Sequence, residues 1–199
     1  MQKIGVFGGS FNPIHRGHIA MALRALDAFS LQEMLLLPTG NPPHKREGLA
    51  DKRDRLEMVR LAALEDARLK ACDLEVTRDG VIYTVDTLHI LRKRMPDASL
   101  YYLIGADTLL DLHTWRHVDE VLSLTRFIVC GRPGYGSEEV ISCMDTMRQR
   151  GAAMFWLDMP ALDISATMVR ALAAQKGPLE KAVTARVAAY IRNHALYGA

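Results

Sequence analysis

Short apolar runs rich in β-formers alternate along the chain with stretches in which apolar residues recur every three or four positions. That alternation predicts βαβ units and a parallel sheet. Strands are expected at 3–8, 33–38, 69–76, 99–104, 126–130 and 153–157, and helices between them at 17–29, 51–67, 84–95, 107–115, 118–124 and 138–150. Two more helices follow, 165–175 and 179–194. The last carries Leu179, Ala182, Val183, Val187, Tyr190 and Ile191 at helical spacing, a single face for packing on the domain. Gly40 to Gly48 is polar, basic and bears two prolines, so it reads as a loop. No linker or internal repeat divides the chain, and residues 1–199 are expected to form one α/β domain, an open parallel sheet flanked by helices with a helical C-terminal portion from about 165 to 199.

Composition narrows the class. At 199 residues, 49% hydrophobic and 24% charged, the chain can bury a core without disulfide or metal staples. Its 25 basic and 23 acidic residues leave a formal charge of +2. That balance argues against a nucleic-acid partner, which calls for a clustered basic surface, but leaves room for a small phosphorylated substrate. Cys72, Cys130 and Cys143 lack any C-x-x-C spacing, which excludes a disulfide framework or thiolate zinc site and fits a reducing cytoplasm. No apolar run approaches the roughly 18 residues of a membrane span, and the N-terminus lacks a signal-peptide layout. A soluble intracellular protein with no membrane partner is expected.

The chemistry is concentrated in Gly8-Gly9-Ser10-Phe11-Asn12-Pro13-Ile14-His15-Arg16-Gly17-His18, between the first strand and the first helix. In open α/β sheets ligands bind at the carboxyl ends of strands, and a helix N-terminus there attracts phosphate. Gly8 and Gly9 allow close backbone approach and Ser10 adds a hydroxyl donor. The segment is neither a Walker loop, since no lysine follows the glycines, nor a G-x-G-x-x-G dinucleotide fingerprint. Instead it presents two imidazoles, His15 and His18, three residues apart at a helix start, with Gly17 keeping the wall between them low. As metal ligands they lack a nearby third ligand. As core histidines they would be unusual beside a glycine turn. As donors to a phosphoryl group they would stabilise charge developing in a transition state, and this reading is preferred.

The motif resembles the (H/T)xGH signature of the nucleotidyltransferase superfamily, and its Gly-Gly-Ser-Phe-Asn-Pro form is similar to that of the bacterial nicotinate-nucleotide adenylyltransferases. Ile164-Ser165-Ala166-Thr167-Met168-Val169-Arg170 resembles the superfamily's ISSTxIR motif, with Ala166 and Val169 in place of the commoner serine and isoleucine. The resemblance implies a Rossmann-like fold and adenylyl transfer from ATP to nicotinate mononucleotide, giving deamido-NAD and pyrophosphate in NAD biosynthesis. It implies in-line attack at the α-phosphorus without a covalent enzyme intermediate, and Mg²⁺ accompanying ATP. His15 and His18 become the expected catalytic residues. Gly8, Gly9, Ser10, Phe11, His15, His18, Gly105, Asp107, Ser165, Thr167 and Arg170 become the expected ATP site. Asn41, His44, Lys45, Tyr83, Thr84, Trp115 and Arg116 become the expected mononucleotide site, with Trp115 stacking on the pyridine.

Rival readings are weaker. Several of these residues have ordinary structural alternatives: Ser165, Thr84 and Asp107 as helix caps, and the 40–48 loop as a solvated basic turn. His113 and His117 stand four apart, but Thr114 occupies the place where a zincin motif requires glutamate, so no metal site is expected there. Phosphopantetheine adenylyltransferase is the nearest alternative substrate assignment, a nucleotide-binding regulator without turnover the alternative class, and an RNA-binding module related to adenylating synthetases the third.

Overall fold

Six strands line up in the order β3-β2-β1-β4-β5-β6: β1 (Gln2–Gly9), β2 (Glu33–Pro38), β3 (Leu69–Ala71), β4 (Ala98–Gly105), β5 (Arg126–Gly131) and β6 (Met154–Asp158). This computed structural model describes residues 2–40, 48–131, 138–160 and 163–199. Ile4 lies opposite Leu100, Leu103 opposite Ile128 and Ile128 opposite Phe155, and all three of these strand pairings are parallel. Among the described residues six α-helices lie between the strands, α1 (Arg16–Phe29), α2 (Lys52–Ala63), α3 (Thr84–Arg94), α4 (Ala106–Asp111), α5 (Val118–Leu124) and α6 (Glu138–Gln149), and two follow the last strand, α7 (Ala166–Ala174) and α8 (Ala185–Asn193). The winding reverses where β1 neighbours β4, the switch point beyond whose strand ends doubly wound sheets bind ligands. Gly8 and Gly9 close β1, and Gly105 closes β4.

Backbone contacts group the chain into two compact units. The first comprises Met1–Gly8, Ala22–Leu35 and Tyr83–Ala161. Its centre is β4, in which every residue from Ala98 to Ile104 is buried, as expected of a parallel strand covered on both faces. Arg92 of α3 ties this layer together by donating to the carbonyls of Leu124 (2.9 Å) and Ala98 (3.0 Å).

The second unit comprises Gly9–Met21, Leu36–Ile82 and Leu162–Ala199. Asp51 starts α2 by accepting from the N–H of Arg53 (2.8 Å), and the helix buries Leu56, Met58, Val59 and Ala62. Tyr190 of α8 donates to Asp54 of α2 at 2.9 Å. The start of α1 is held by Arg16, whose N–H reaches Ala182 O (2.8 Å) and whose Nε reaches Glu180 O (3.2 Å).

Four elements differ from the sequence expectation. The helix expected at 107–115 ends at Asp111 and gives way to a 3-10 turn, Leu112–Thr114, after which Trp115 is extended. The strand expected at 69–76 ends at Ala71, because Asp73 opens a turn in which Thr77 donates back to its carbonyl from both N–H and hydroxyl. Leu74 and Val76 are buried by that turn rather than by pairing. The helix expected at 51–67 ends at Ala63, and Asp66 folds the chain by accepting from the N–H and guanidinium of Arg68. The helix expected at 179–194 is a 3-10 turn, Leu179–Lys181, followed by α8, because Thr184 accepts from Val187 N and restarts the helix there.

Candidate active site

Within the second unit, the turn after Gly9 folds inward before α1 begins. Phe11 takes a left-handed backbone (φ 42°) and its ring is 1% exposed. For a bulky residue that conformation is strained and needs support from its surroundings. The Phe11 ring stands edge-on to His18 (5.1 Å between centroids, 82°), and His18 lies flat against His15 (3.6 Å, 25°). The two imidazoles thus converge as their spacing suggests. Nδ1 of His18 accepts from the His15 N–H at 3.2 Å, which makes Nε2 the nitrogen that carries a proton in the neutral ring. Gly17 has a specific steric role: a Cβ there would lie 3.0 Å from Nδ1 of His15.

The second motif meets the first in this unit. Arg170 donates to Asn12 O (2.8 Å) and to Thr167 Oγ1 (3.2 Å), joining α7 to the turn. Ser165 caps α7, its hydroxyl oxygen accepting from Met168 N at 3.2 Å, so the ordinary structural role is realised while its O–H proton remains a possible donor. Ser10 and Gly9 flank Phe11 at the end of β1. Asn41, His44 and Lys45 lie outside the described residues.

The remaining candidates belong to the first unit. Gly8 must lack a side chain, because an added Cβ would collide with the Tyr102 hydroxyl. Tyr102 in turn packs edge-to-face with Trp115 (5.9 Å, 80°), whose indole is only half-buried. Arg116 lies over the Tyr83 ring at 4.6 Å, an ordinary cation–π distance. Thr84 is the first residue of α3, not its cap; Tyr83 holds the cap position and its N–H reaches Asp86 Oδ2 at 3.4 Å. Asp107 is the second residue of α4, capped by Gly105, with its carboxylate folded over the glycine where a Cβ would stand. His113 is exposed and bonds Leu110 O (2.9 Å), while exposed His117 precedes α5 in a left-handed conformation.

Sequence reasoning missed Arg55. It is 1% exposed, and its guanidinium donates to Ala50 O (3.1 Å), Ser10 O (2.7 Å), Thr39 O (2.7 Å), Gly40 O (3.0 Å) and Thr39 Oγ1 (3.4 Å). Burial pushes its pKa below the ordinary arginine value, and Tyr197, Asp51 and Glu75 push it back. The signal was available: Arg55 shares the apolar stripe of α2 with Met58, Val59 and Ala62, where a charge is out of place. Asn12 was part of the motif, but its side chain has an unsuspected task. Its Nδ2 donates to Gly48 O (2.8 Å), while Oδ1 accepts from Ala50 N (3.0 Å) and from the hydroxyl of Tyr197 (2.9 Å). Burial raises the pKa of that phenol, which keeps it a donor.

The second unit thus brings together stacked imidazoles at a helix start and a capped second helix tied back by arginine to the turn before them. The chain belongs to the cytidylyltransferase-like family, whose pattern matches residues 6–172. Three relatives similar over their full length carry the name "Probable nicotinate-nucleotide adenylyltransferase". The Neisseria meningitidis serogroup B relative is 38% identical, covering 99% of this chain and 99% of its own. The Synechococcus relative is 39% identical over 98% of this chain and 95% of its own, and the Clostridium tetani relative 32% identical over 99% and 100%. The Plasmodium falciparum nicotinic acid mononucleotide adenylyltransferase, solved with NaAD, shares the fold at a TM-score of 0.82 and 18% identity, covering 99% of this chain and 98% of that one.

Proposed function

We propose that the protein transfers the adenylyl group of ATP to nicotinate mononucleotide, releasing pyrophosphate and giving deamido-NAD, as a cytoplasmic step of NAD biosynthesis. The observation that carries the chemistry is the His15–His18 pair, stacked at 3.6 Å with the Nδ1 of His18 satisfied from the backbone. The choice of acceptor rests on the full-length relatives and on the Tyr83, Thr84, Trp115 and Arg116 segments. Among the described residues no helix is long and apolar enough to cross a membrane, and the three cysteines are free, which suits a reducing compartment.

The reaction is a displacement at the α-phosphorus. An oxygen of the mononucleotide phosphate attacks, the bond to the bridging oxygen breaks, and pyrophosphate leaves. The mononucleotide is itself the nucleophile, so the enzyme's task is orientation and charge stabilisation. His18 donates from Nε2 to an α-phosphate oxygen on which charge builds, and His15 supports it from the adjoining ring and donates toward the β- and γ-phosphates. Gly8, Gly9, Ser10 and Phe11 offer backbone and hydroxyl donors to the same anion. Ser165, Thr167 and the start of α7 receive the triphosphate tail, with Arg170 fixing Thr167 and the turn together. Gly105 and Asp107 contact the nucleotide moiety. Asn41, His44 and Lys45 bind the mononucleotide phosphate, and Tyr83, Thr84, Trp115 and Arg116 bind its pyridine end.

Among the described residues no three His, Cys, Asp or Glu side chains are grouped to hold a metal. Mg²⁺ would enter with ATP as its complex, as the magnesium ion usually does at phosphate-transfer sites. When bound, it would supply positive charge toward the pyrophosphate leaving group.

A pyrophosphate-release assay with MgATP, run in parallel on nicotinate mononucleotide, nicotinamide mononucleotide and phosphopantetheine, tests the assignment. Turnover led by the nicotinate substrate supports it. Preference for phosphopantetheine would remove the assigned roles of Trp115 and Thr84, and ATP binding without turnover on any acceptor would favour a nucleotide-binding regulator.

A further inference from the structure

We propose that Arg55 is a positioning residue that sets the geometry of His18 through the Ser10–Phe11 peptide. This deepens the reading above and rests on it for the identity of the reaction, but its structural content stands on Arg55 itself. A guanidinium has five N–H donors, and Arg55 makes five hydrogen bonds, four of them to main-chain carbonyls and the fifth to the Thr39 hydroxyl. A surface arginine would keep its head in water. This one is almost wholly withdrawn from it and spends four of its five donors on loop backbone.

The bonded carbonyls come from three places: Ser10 in the turn after β1, Thr39 and Gly40 after β2, and Ala50 before α2. The shortest bonds are to Ser10 and Thr39, both 2.7 Å. A trans peptide is planar, so drawing the Ser10 carbonyl toward Arg55 turns the Phe11 N–H the opposite way and holds Phe11 at its left-handed φ of 42°. That backbone angle directs the buried ring edge-on to His18, which is stacked on His15. The relay therefore runs from guanidinium to Ser10 carbonyl, to the Phe11 ring, to the catalytic imidazole. Asn12 reinforces it from the next residue by gripping Gly48 and Ala50, the latter also an Arg55 ligand. Lysine cannot replace the fork: it keeps the charge but has three donors radiating from one atom.

The test compares Arg55→Lys and Arg55→Gln with wild type and with Arg60→Ala, a control on the exposed side of α2 where Arg60 is 52% exposed. Steady-state kcat and both KM values are measured, and the His18 ring resonances are followed by NMR in the substrate-free protein. The expected result is a kcat reduced by roughly 30-fold or more with KM for ATP changed less than about 3-fold, since displaced catalytic groups cost chemistry more than binding. The His18 resonances should move while those of His113 and His117 stay, and Arg60→Ala should match wild type. Phe11→Leu leaves Arg55 untouched and must also lose kcat; wild-type kcat in that variant overturns the relay even if the Arg55 variants do not fold. Unmoved His18 resonances in folded Arg55→Lys, or a kcat loss matching only the unfolded fraction, also overturn it. Absence of turnover in the wild type would instead defeat the assigned reaction, with the resonances still testing the relay.

Discussion

Replacing Gly17 by alanine separates activity from stability. Gly17 is the second residue of α1, in a conformation open to any L-residue, so alanine there gains up to about 1 kcal/mol of helix propensity. The new Cβ would sit 3.0 Å from Nδ1 and 3.1 Å from Cε1 of His15. That is roughly 0.4 Å short of comfortable van der Waals contact, so the imidazole must withdraw by a few tenths of an ångström. The ring is also stacked on His18 at 3.6 Å, so moving it disturbs that pair. Misplacing a reacting group by about 1 Å costs on the order of 100-fold, and scaling that to this shift gives a kcat loss of roughly 3- to 10-fold. The melting temperature should stay within about 3 °C of wild type, as the propensity gain and the contact strain oppose each other. The assay is initial-rate pyrophosphate release at saturating MgATP and mononucleotide, beside a thermal melt. A wild-type kcat in the folded variant would refute the assignment of His15 to the catalytic pair.

Three further outcomes follow from particular contacts. Thr184→Ala removes a buried cap and strands the Val187 N–H, and should cost about 1–2 kcal/mol, read as a lower denaturation midpoint that Thr184→Ser restores in large part. Hydrogen bonds from Arg68 hold Asp66 down to about 2, so the pair's stabilisation is full above the ordinary aspartate range and fades as pH falls from about 4 toward 2; Asp66→Asn should flatten that acid limb by well under 1 kcal/mol, since both groups are partly exposed. Burial pushes the Cys130 thiol up to about 12, so a thiol reagent at pH 8 should label it only after denaturation.

The sheet was legible because parallel strands buried on both faces are continuous apolar runs, as in Leu100 to Ile104, and need no knowledge of their partners. The ends of elements were less legible. Leu74 and Val76 are apolar and buried, so periodicity extended β3 through them, yet the Asp73 carbonyl captured Thr77 and made a turn. Thr184 is one hydroxyl inside an unbroken helical pattern, and its bond to Val187 N is visible only once the chain is folded. At the site, the spacing of His15 and His18 announced their convergence, because residues three apart at a helix start share a face. Arg55 was legible only in part. Its place on the apolar stripe of α2 marks it as buried, but its five bonds reach residues between 5 and 45 positions away, and no local pattern names those partners.

The central claim is that His18 works in the transition state rather than in holding nucleotide. The measurement that tests it most directly pairs the turnover of wild type and His18→Ala with the ATP dissociation constant of each, deamido-NAD being identified by mass. The account predicts one deamido-NAD per pyrophosphate from wild type, and a variant that binds ATP within about 5-fold while losing at least roughly 100-fold in kcat. Equal turnover by the variant, or a loss appearing wholly in ATP affinity, would contradict it.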